Sequence, residues 1–283
     1  MNVMNKYKVL TLVSLSAITL AGCDNAKSDA ENHKFANNIV NSMVVVKGGR
    51  FQMGDFGPLV GEKLPFSPNQ NNKPLHWVEL SDFHMSAKRI TWREFNEWLE
   101  LAGRGKSKYY LWATEKDRSE RFKKTTGDDF PAVANWKDAS DFCQWIGTIS
   151  NKKITLPTEA QWEYAARSGG KFNQFANGDN YYNVSWPDEK QNFTFDFAPV
   201  GSFAPNSLGL FDMMGNGHDW VNDWYAEDYY QHSPERDPQG PANGTEKVVR
   251  GYLGSMFGLY DITRGSNNPE TEGPGYGFRC VEN

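Results

Sequence analysis

Apolar residues change their period along this chain, and the changes mark its elements. "MVVVKGGRFQMG" clusters β-branched and alternating apolar residues on both sides of Lys47-Gly48-Gly49, which predicts two strands about a turn. "LHWVELSDFHMSA" continues as strand. The spacing then becomes helical. In "ITWREFNEWLELAG", Trp92, Phe95, Trp98, Leu99 and Ala102 share one face, and Thr91 with Glu94 forms a capping box. "DASDFCQWIGTIS" puts Ala139, Phe142, Cys143 and Ile146 at helical spacing. "LPTEAQWEYAARSGG" predicts a third helix, capped by Thr158, with Gln161 at the box position and Gly169-Gly170 at its end. From residue 171 to 283 the periodicity fades into short strands and loops punctuated by Gly, Pro and Asn. The pattern predicts a single α+β domain with few helices and much irregular structure. The 26 glycines and 10 tryptophans fit many turns packed around large aromatic units.

The N-terminus follows a different rule. Lys6 and Lys8 precede an apolar run from Val9 to Leu20 and then small residues, which predicts a secretory signal over residues 1–22. Its end, Leu20-Ala21-Gly22-Cys23, resembles the lipobox of bacterial lipoproteins, in which the cysteine is lipidated and becomes the new N-terminus. The alternative is a plain cleaved signal with an incidental cysteine. Residues 23–42 are polar and read as the lipidated Cys23 and a flexible tether, leaving 43–283 as the domain. The expected location is the cell membrane, lipid-anchored and facing the periplasm. Asp24 resembles the signal that retains enterobacterial lipoproteins at the inner membrane; other bacteria sort differently, so the outer membrane stays open.

Without the signal and its two lysines the chain carries 28 basic and 35 acidic residues, a net charge of −7. That balance disfavours nucleic acid, whose phosphates need clustered Lys and Arg. It would steer a basic partner, or merely keep the protein soluble. With Cys23 assigned to lipid, Cys143 and Cys280 remain in an oxidising compartment, where one disulfide is the simplest expectation. Cys143 also lies on an apolar helix face, where a free buried thiol would be at home.

The blocks "LPTEAQWEYAARSGG", "APVGSFAPNSLGLFDMMGNGHDWVNDWY" and "GFRC" resemble the formylglycine-generating, sulfatase-modifying-factor family. "VVVKGGRFQMGD" and "RITWREFNEWL" fit its N-terminal half, so the likeness spans about residues 43–281 in the family's order. It implies a variant of the C-type-lectin-like fold. It also implies that Cys143 and Cys280 are the half-cystines of one disulfide. In the family the turn matching "DMMGNGHDW" wraps a structural calcium, which maps here to Asp212, Gly215, Gly217 and Asp219. A hard cation suits such carbonyls plus a carboxylate. The family's usual residue at 219 is Glu, and Asp reaches about one methylene less far. A second family calcium site maps near Asn183, Val184 and Asp196, in an altered loop.

The aerobic enzymes of that family hold copper on a cysteine pair between a strand like "RGGSW" and a closing arginine. Here that interval, Arg250 to Arg264, has no cysteine, so no copper is expected. His33, His76, His84, His218 and His232 are scattered and show no metal-ligand spacing. There is no P-loop, Rossmann fingerprint, C-x-x-C or nucleophile elbow. Asp212, Asp219 and Asp223 could pair as acid and base, but Trp220 and Trp224 among them suggest a packed turn. The interval is lined instead by Tyr252, Met256, Phe257 and Tyr260, residue types that anchor protein interfaces. The favoured expectation is a membrane-anchored, non-catalytic domain that binds a protein partner. Inhibition of a secreted toxin, as by an immunity protein, and envelope scaffolding are roles that the resemblance suggests. The alternative is a periplasmic oxidoreductase or tailoring enzyme with a different chemistry.

Overall fold

A computed structural model describes residues 18–176, 197–202, 204–251 and 261–283, with the backbone alone for 18–27 and for Arg121. In chain order, α1 (Ile18–Asn41) leads into β1 (Met43–Val46), β2 (Gly49–Met53), β3 (His76–Leu80) and β4 (Phe83–Ser86). Next come α2 (Trp92–Leu101), α3 (Lys108–Ala113), α4 (Glu120–Lys124), α5 (Trp136–Ser150), β5 (Ile154–Thr155) and α6 (Glu159–Ala166). Then follow β6 (His218–Trp224), β7 (Lys247–Gly251), β8 (Gly265–Asn267), β9 (Tyr276–Gly277) and β10 (Val281–Glu282). This is the α+β arrangement of short elements that the pattern predicts.

The three expected helices form, the first and third with their expected caps. Thr91 and Glu94 bond each other's backbone at the start of α2, and Thr158 and Gln161 do the same at α6. At α5 the cap is Asn135, whose side chain accepts from the Asp138 amide. The two N-terminal strands exist but do not form a hairpin with each other. β1 pairs with β4, and β2 with β3. Val46 faces Phe83 and Gly49 faces Leu80, so one antiparallel register runs through both pairs. The unit is one long ribbon bent at Lys47-Gly48 against Ser81-Asp82. Gly48 enables the bend: a Cβ there would lie 2.2 Å from the Leu80 carbonyl oxygen. The Asp82 carboxylate holds the bend by accepting from the Gly48 amide (2.8 Å) and Lys47 Nζ (2.7 Å).

β6 and β7 form the middle of a sheet ordered β8-β7-β6-β9. Their side chains alternate between two cores. Val221 and Val248 pack with Phe51, Val78, Met85 and Trp162, whereas Trp220 and Val249 pack with Phe95, Trp98, Phe142 and Phe278. Both faces are covered, and buried charged residues (Asp219, Asp223, Lys247, Arg250) break the alternation, which is why the period of this strand pair was faint in the sequence. Cys143 on α5 and Cys280 before β10 join in a disulfide within the second core, 137 residues apart.

Residues 28–41 correct the expectation of a flexible tether. They are the second half of α1, and Phe35, Ala36 and Ile39 are buried in the second core. Phe35 meets Phe142 and Trp145 of α5 at ring-centroid distances of 6.2 and 6.0 Å. Polar composition hid a narrow apolar stripe, since residues three and four apart align on one helix face. Among the described residues no helix is long and apolar enough to cross a membrane. Truncating Phe35 to Ala should cost about 3–5 kcal/mol and expose residues 28–41 to protease. Wild-type melting with a protected segment in Phe35→Ala would show that the helix is not docked.

Candidate functional site

α6 has no polar face turned to water: all eight of its residues are buried, Glu159 and Glu163 included. Carboxylates in that position need cations, and three arginines supply them. Arg250, on β7, donates to Glu159 (2.8 Å) and Glu163 (2.9 Å). Arg264 donates to both oxygens of Glu159, at 2.7 and 2.9 Å. Arg167, one turn beyond Glu163, donates to it at 2.9 Å and to the Gln52 carbonyl at 2.7 Å. Burial pushes the Glu159 acid up, but Arg264 and Arg250 outweigh it and leave its pKa below the ordinary value.

This cluster fixes both ends of the segment 252–260. Arg250 lies just before it, and Arg250 also donates to the Asp261 carbonyl just after it. Arg264 converges on the same Glu159 and bonds the Asn71 carbonyl. Asp261 is buried, and among the described residues its carboxyl oxygens have no partner that meets strict hydrogen-bond geometry, with the Ala176 amide the nearest donor acting on it. Burial raises its pKa well above the usual carboxylate range, against the pull of Arg167. The frame is a set of buried guanidinium–carboxylate pairs, of which each partner would be costly to remove alone. Tyr252, Met256, Phe257 and Tyr260, the expected partner-binding residues, lie outside the described residues.

Beside this cluster, Asp223 on β6 accepts from the Glu159 amide at 2.9 Å. Burial, with Glu159 next, raises its pKa to about 7. Lys247 donates to the Asn222 carbonyl at 2.8 Å, its ammonium 3.9 and 3.8 Å from the ring centres of Trp136 and Trp224. Burial lowers its pKa to about 8.

At the expected calcium turn an arginine takes the inward carbonyls. Gly215, Asn216 and Gly217 all take positive φ, so their carbonyls converge. What they converge on is Arg89. Its Nη1 donates to the Gly215 and Asn216 carbonyls at 3.0 and 2.5 Å, and its Nη2 to the Gly217 carbonyl at 2.7 Å. Its Nε donates to Asp219 at 2.7 Å. The other Asp219 oxygen accepts from Arg279 and from Trp162 Nε1, each at 2.9 Å. Burial would raise the Asp219 acid, yet Arg279 and Arg89 hold it down at about 2. Asp212 accepts from the Gly201 amide at 2.8 Å. The residue set Asp212, Gly215, Gly217 and Asp219 therefore does not fit calcium here, because a guanidinium already takes the inward carbonyls and the carboxylate. Nor are these aspartates paired with each other: Asp219 bonds Arg89 and Arg279, whereas Asp223 accepts from the Glu159 amide.

His218 packs against Tyr276 at a ring-centroid distance of 5.1 Å, and burial lowers its pKa to about 4, so it stays neutral. Among the described residues no cluster of three or more His, Cys, Asp or Glu could hold a metal ion. Asn183, Val184 and Asp196, the second expected calcium position, and the Cys23 side chain lie outside the described residues. Glu159, Glu163, Arg167, Arg89 and Asp261 were missed as site residues. For Glu159, Glu163 and Arg167 the signal was a capped helix carrying them in a single line at four-residue spacing; Arg89 and Asp261 had none.

A family described as "Sulfatase-modifying factor enzyme 1-like domain" matches residues 28–283. Among curated proteins, "Serine/threonine-protein kinase pkn1" of Chlamydia pneumoniae is 33% identical over 87% of this chain. The chain spans only 38% of that relative's length. The "Formylglycine-generating enzyme" of Streptomyces coelicolor is 29% identical, over 84% of this chain and 88% of its own. Among solved structures, PvdO from Pseudomonas aeruginosa aligns with a TM-score of 0.66 at 26% identity, covering 85% of this chain and 93% of that one. These likenesses agree with the C-type-lectin-like fold class expected above.

The folded state holds the Asp223 proton up to about pH 7, whereas an unfolded chain releases it near the ordinary 3.8. Its contribution to stability is thus complete below about pH 4 and is lost as pH rises through 7. Asp223→Asn, which mimics the protonated acid, should lose less stability than wild type between pH 4.5 and 7.5. Denaturant midpoints that fall equally in both proteins would contradict this assignment.

Proposed function

The chain belongs to the sulfatase-modifying factor enzyme 1-like domain family, and from that membership we propose that it is a lipid-anchored periplasmic protein whose domain binds a protein partner through the segment 252–260. The reading carries no formylglycine-generating oxidation. The observation behind it is the disulfide: Cys143 and Cys280 are joined to each other inside the second core, and Cys23 is the one other cysteine in the sequence. Copper(I) is held by soft thiolates, and none is left for the interval between Arg250 and Arg264. The buried frame of Glu159, Glu163, Arg250 and Arg264 supports the same reading. It spends its charges on holding the ends of that segment, as a scaffold presenting a recognition loop would. The anchor is Cys23, with the inner membrane favoured by Asp24. The partner is a protein, not nucleic acid. Inhibition of a secreted toxin and scaffolding in the envelope are the two roles this architecture suits.

A second reading, a periplasmic tailoring oxidoreductase with other chemistry, draws on two observations. The likeness to the "Formylglycine-generating enzyme" of Streptomyces coelicolor extends over 88% of that protein, and Asp261 is a buried acid next to the same segment. The kinase activity in the name of the Chlamydia relative is no part of either reading, because the chain spans so little of that protein.

Metal analysis of the purified protein separates the two readings. Binding predicts no stoichiometric copper or iron, and finding either metal at one per chain would favour the oxidoreductase. Capture of a partner from native envelopes should be lost in the Tyr252→Ala, Phe257→Ala double variant while the melting temperature holds. Undiminished capture would move the binding face elsewhere. Cys23→Ser should shift the protein from the membrane to the soluble fraction, and continued membrane association would remove the lipid anchor from the proposal.

A further inference from the structure

We infer that Arg89 is a built-in cation: its guanidinium does at the 215–217 turn the work of a structural metal ion, so the turn is independent of divalent cations. Deleting the side chain would open a site for a small cation.

The turn itself demands positive charge. Three consecutive residues with positive φ, Gly215, Asn216 and Gly217, turn their carbonyl oxygens onto one guanidinium, and buried Asp219 adds a carboxylate. Oxygens gathered in this way repel one another and cannot reach water. A Cβ on Gly217 would lie 2.6 Å from the Gly275 carbonyl oxygen, so backbone fills the space beside the turn. The shape of the electron-rich pocket suits two kinds of occupant, a hard metal ion or a planar fork of N–H donors.

Arg89 meets it as the fork, with four hydrogen bonds of 2.5 to 3.0 Å to four different residues. Backbone bonds hold the segment that carries it: the Ile90 amide donates to the Phe278 carbonyl at 3.0 Å, and the Ala132 amide to the Ile90 carbonyl at 2.9 Å. The side chain therefore enters from a fixed origin. The local charges also balance. Arg89 and Arg279 face Asp219 and Asp212, all four buried. A divalent ion added to this set would leave two positive charges uncompensated in the interior, beside a guanidinium that already takes its ligands.

The test measures unfolding midpoints of the full mature chain in calcium chloride, in methylguanidinium chloride and in excess chelator. Wild type should keep one midpoint in all three. Arg89→Ala should fall by at least about 6 °C and recover part of the loss in millimolar methylguanidinium or calcium. Arg89→Lys, which keeps the charge without the fork, should fall less and respond less; it carries the comparison if the alanine variant does not fold. The inference is overturned if Arg89→Ala melts with wild type, or if neither cation moves the variants. It is also overturned if chelator lowers the wild-type midpoint and Asp219→Asn abolishes that sensitivity.

Discussion

Irregular backbone can be buried only when its carbonyls find donors, and in this domain buried arginines supply many of them. Arg89 reaches three carbonyls in one turn. Arg167 reaches those of Gln52, Gly170 and Lys171, and Arg279 those of Ser86 and Phe211. Arg250 and Arg264 tie down Asp261, Asn71 and Ala226. A regular sheet or helix would satisfy these oxygens internally. With so little regular structure, the guanidinium forks stand in for missing ladders. Each brings a charge into the interior, and that charge explains the buried acids. Glu159, Glu163 and Asp219 are the counter-ions that make the arginines tolerable.

The same economy shapes the candidate site. Arg250 and Arg264, which flank the segment 252–260, both meet Glu159 on α6. Such a frame fixes the residues on either side of the segment without dictating its sequence. One fold can then present different chemistry, or none, at the same place. Family membership therefore fixes the scaffold more firmly than it fixes the activity.

What was legible in the sequence was whatever depends on local spacing. α2, α5 and α6 announced themselves through caps and apolar faces, and the glycine at 48 announced a turn. The pairing of Cys143 with Cys280 was legible too, because two cysteines leave one combination. What depends on distant partners was not. β1 and β2 read as a hairpin because each is a good strand beside a glycine pair, yet their partners lie more than 20 residues on. α1 read as a tether because a stripe of Phe35, Ala36 and Ile39 is small against its polar background. Calcium was expected from the turn alone, whereas the occupant comes from Arg89, 130 residues before the aspartate it pairs with. Nothing in the local sequence of either segment points to the other.

The docking of α1 bears on how the protein would stand at a surface. A disordered leash of that length would let a domain wander and tumble. Here the helix is continuous from Ile18 to Asn41, and at about 1.5 Å of rise per residue the path from Cys23 to the packed Phe35 measures roughly 18 Å. With the lipid on Cys23, as proposed, that path is a short mast. A helical arm of that length would keep the domain within a short distance of the bilayer, so its partners would be sought near the membrane surface.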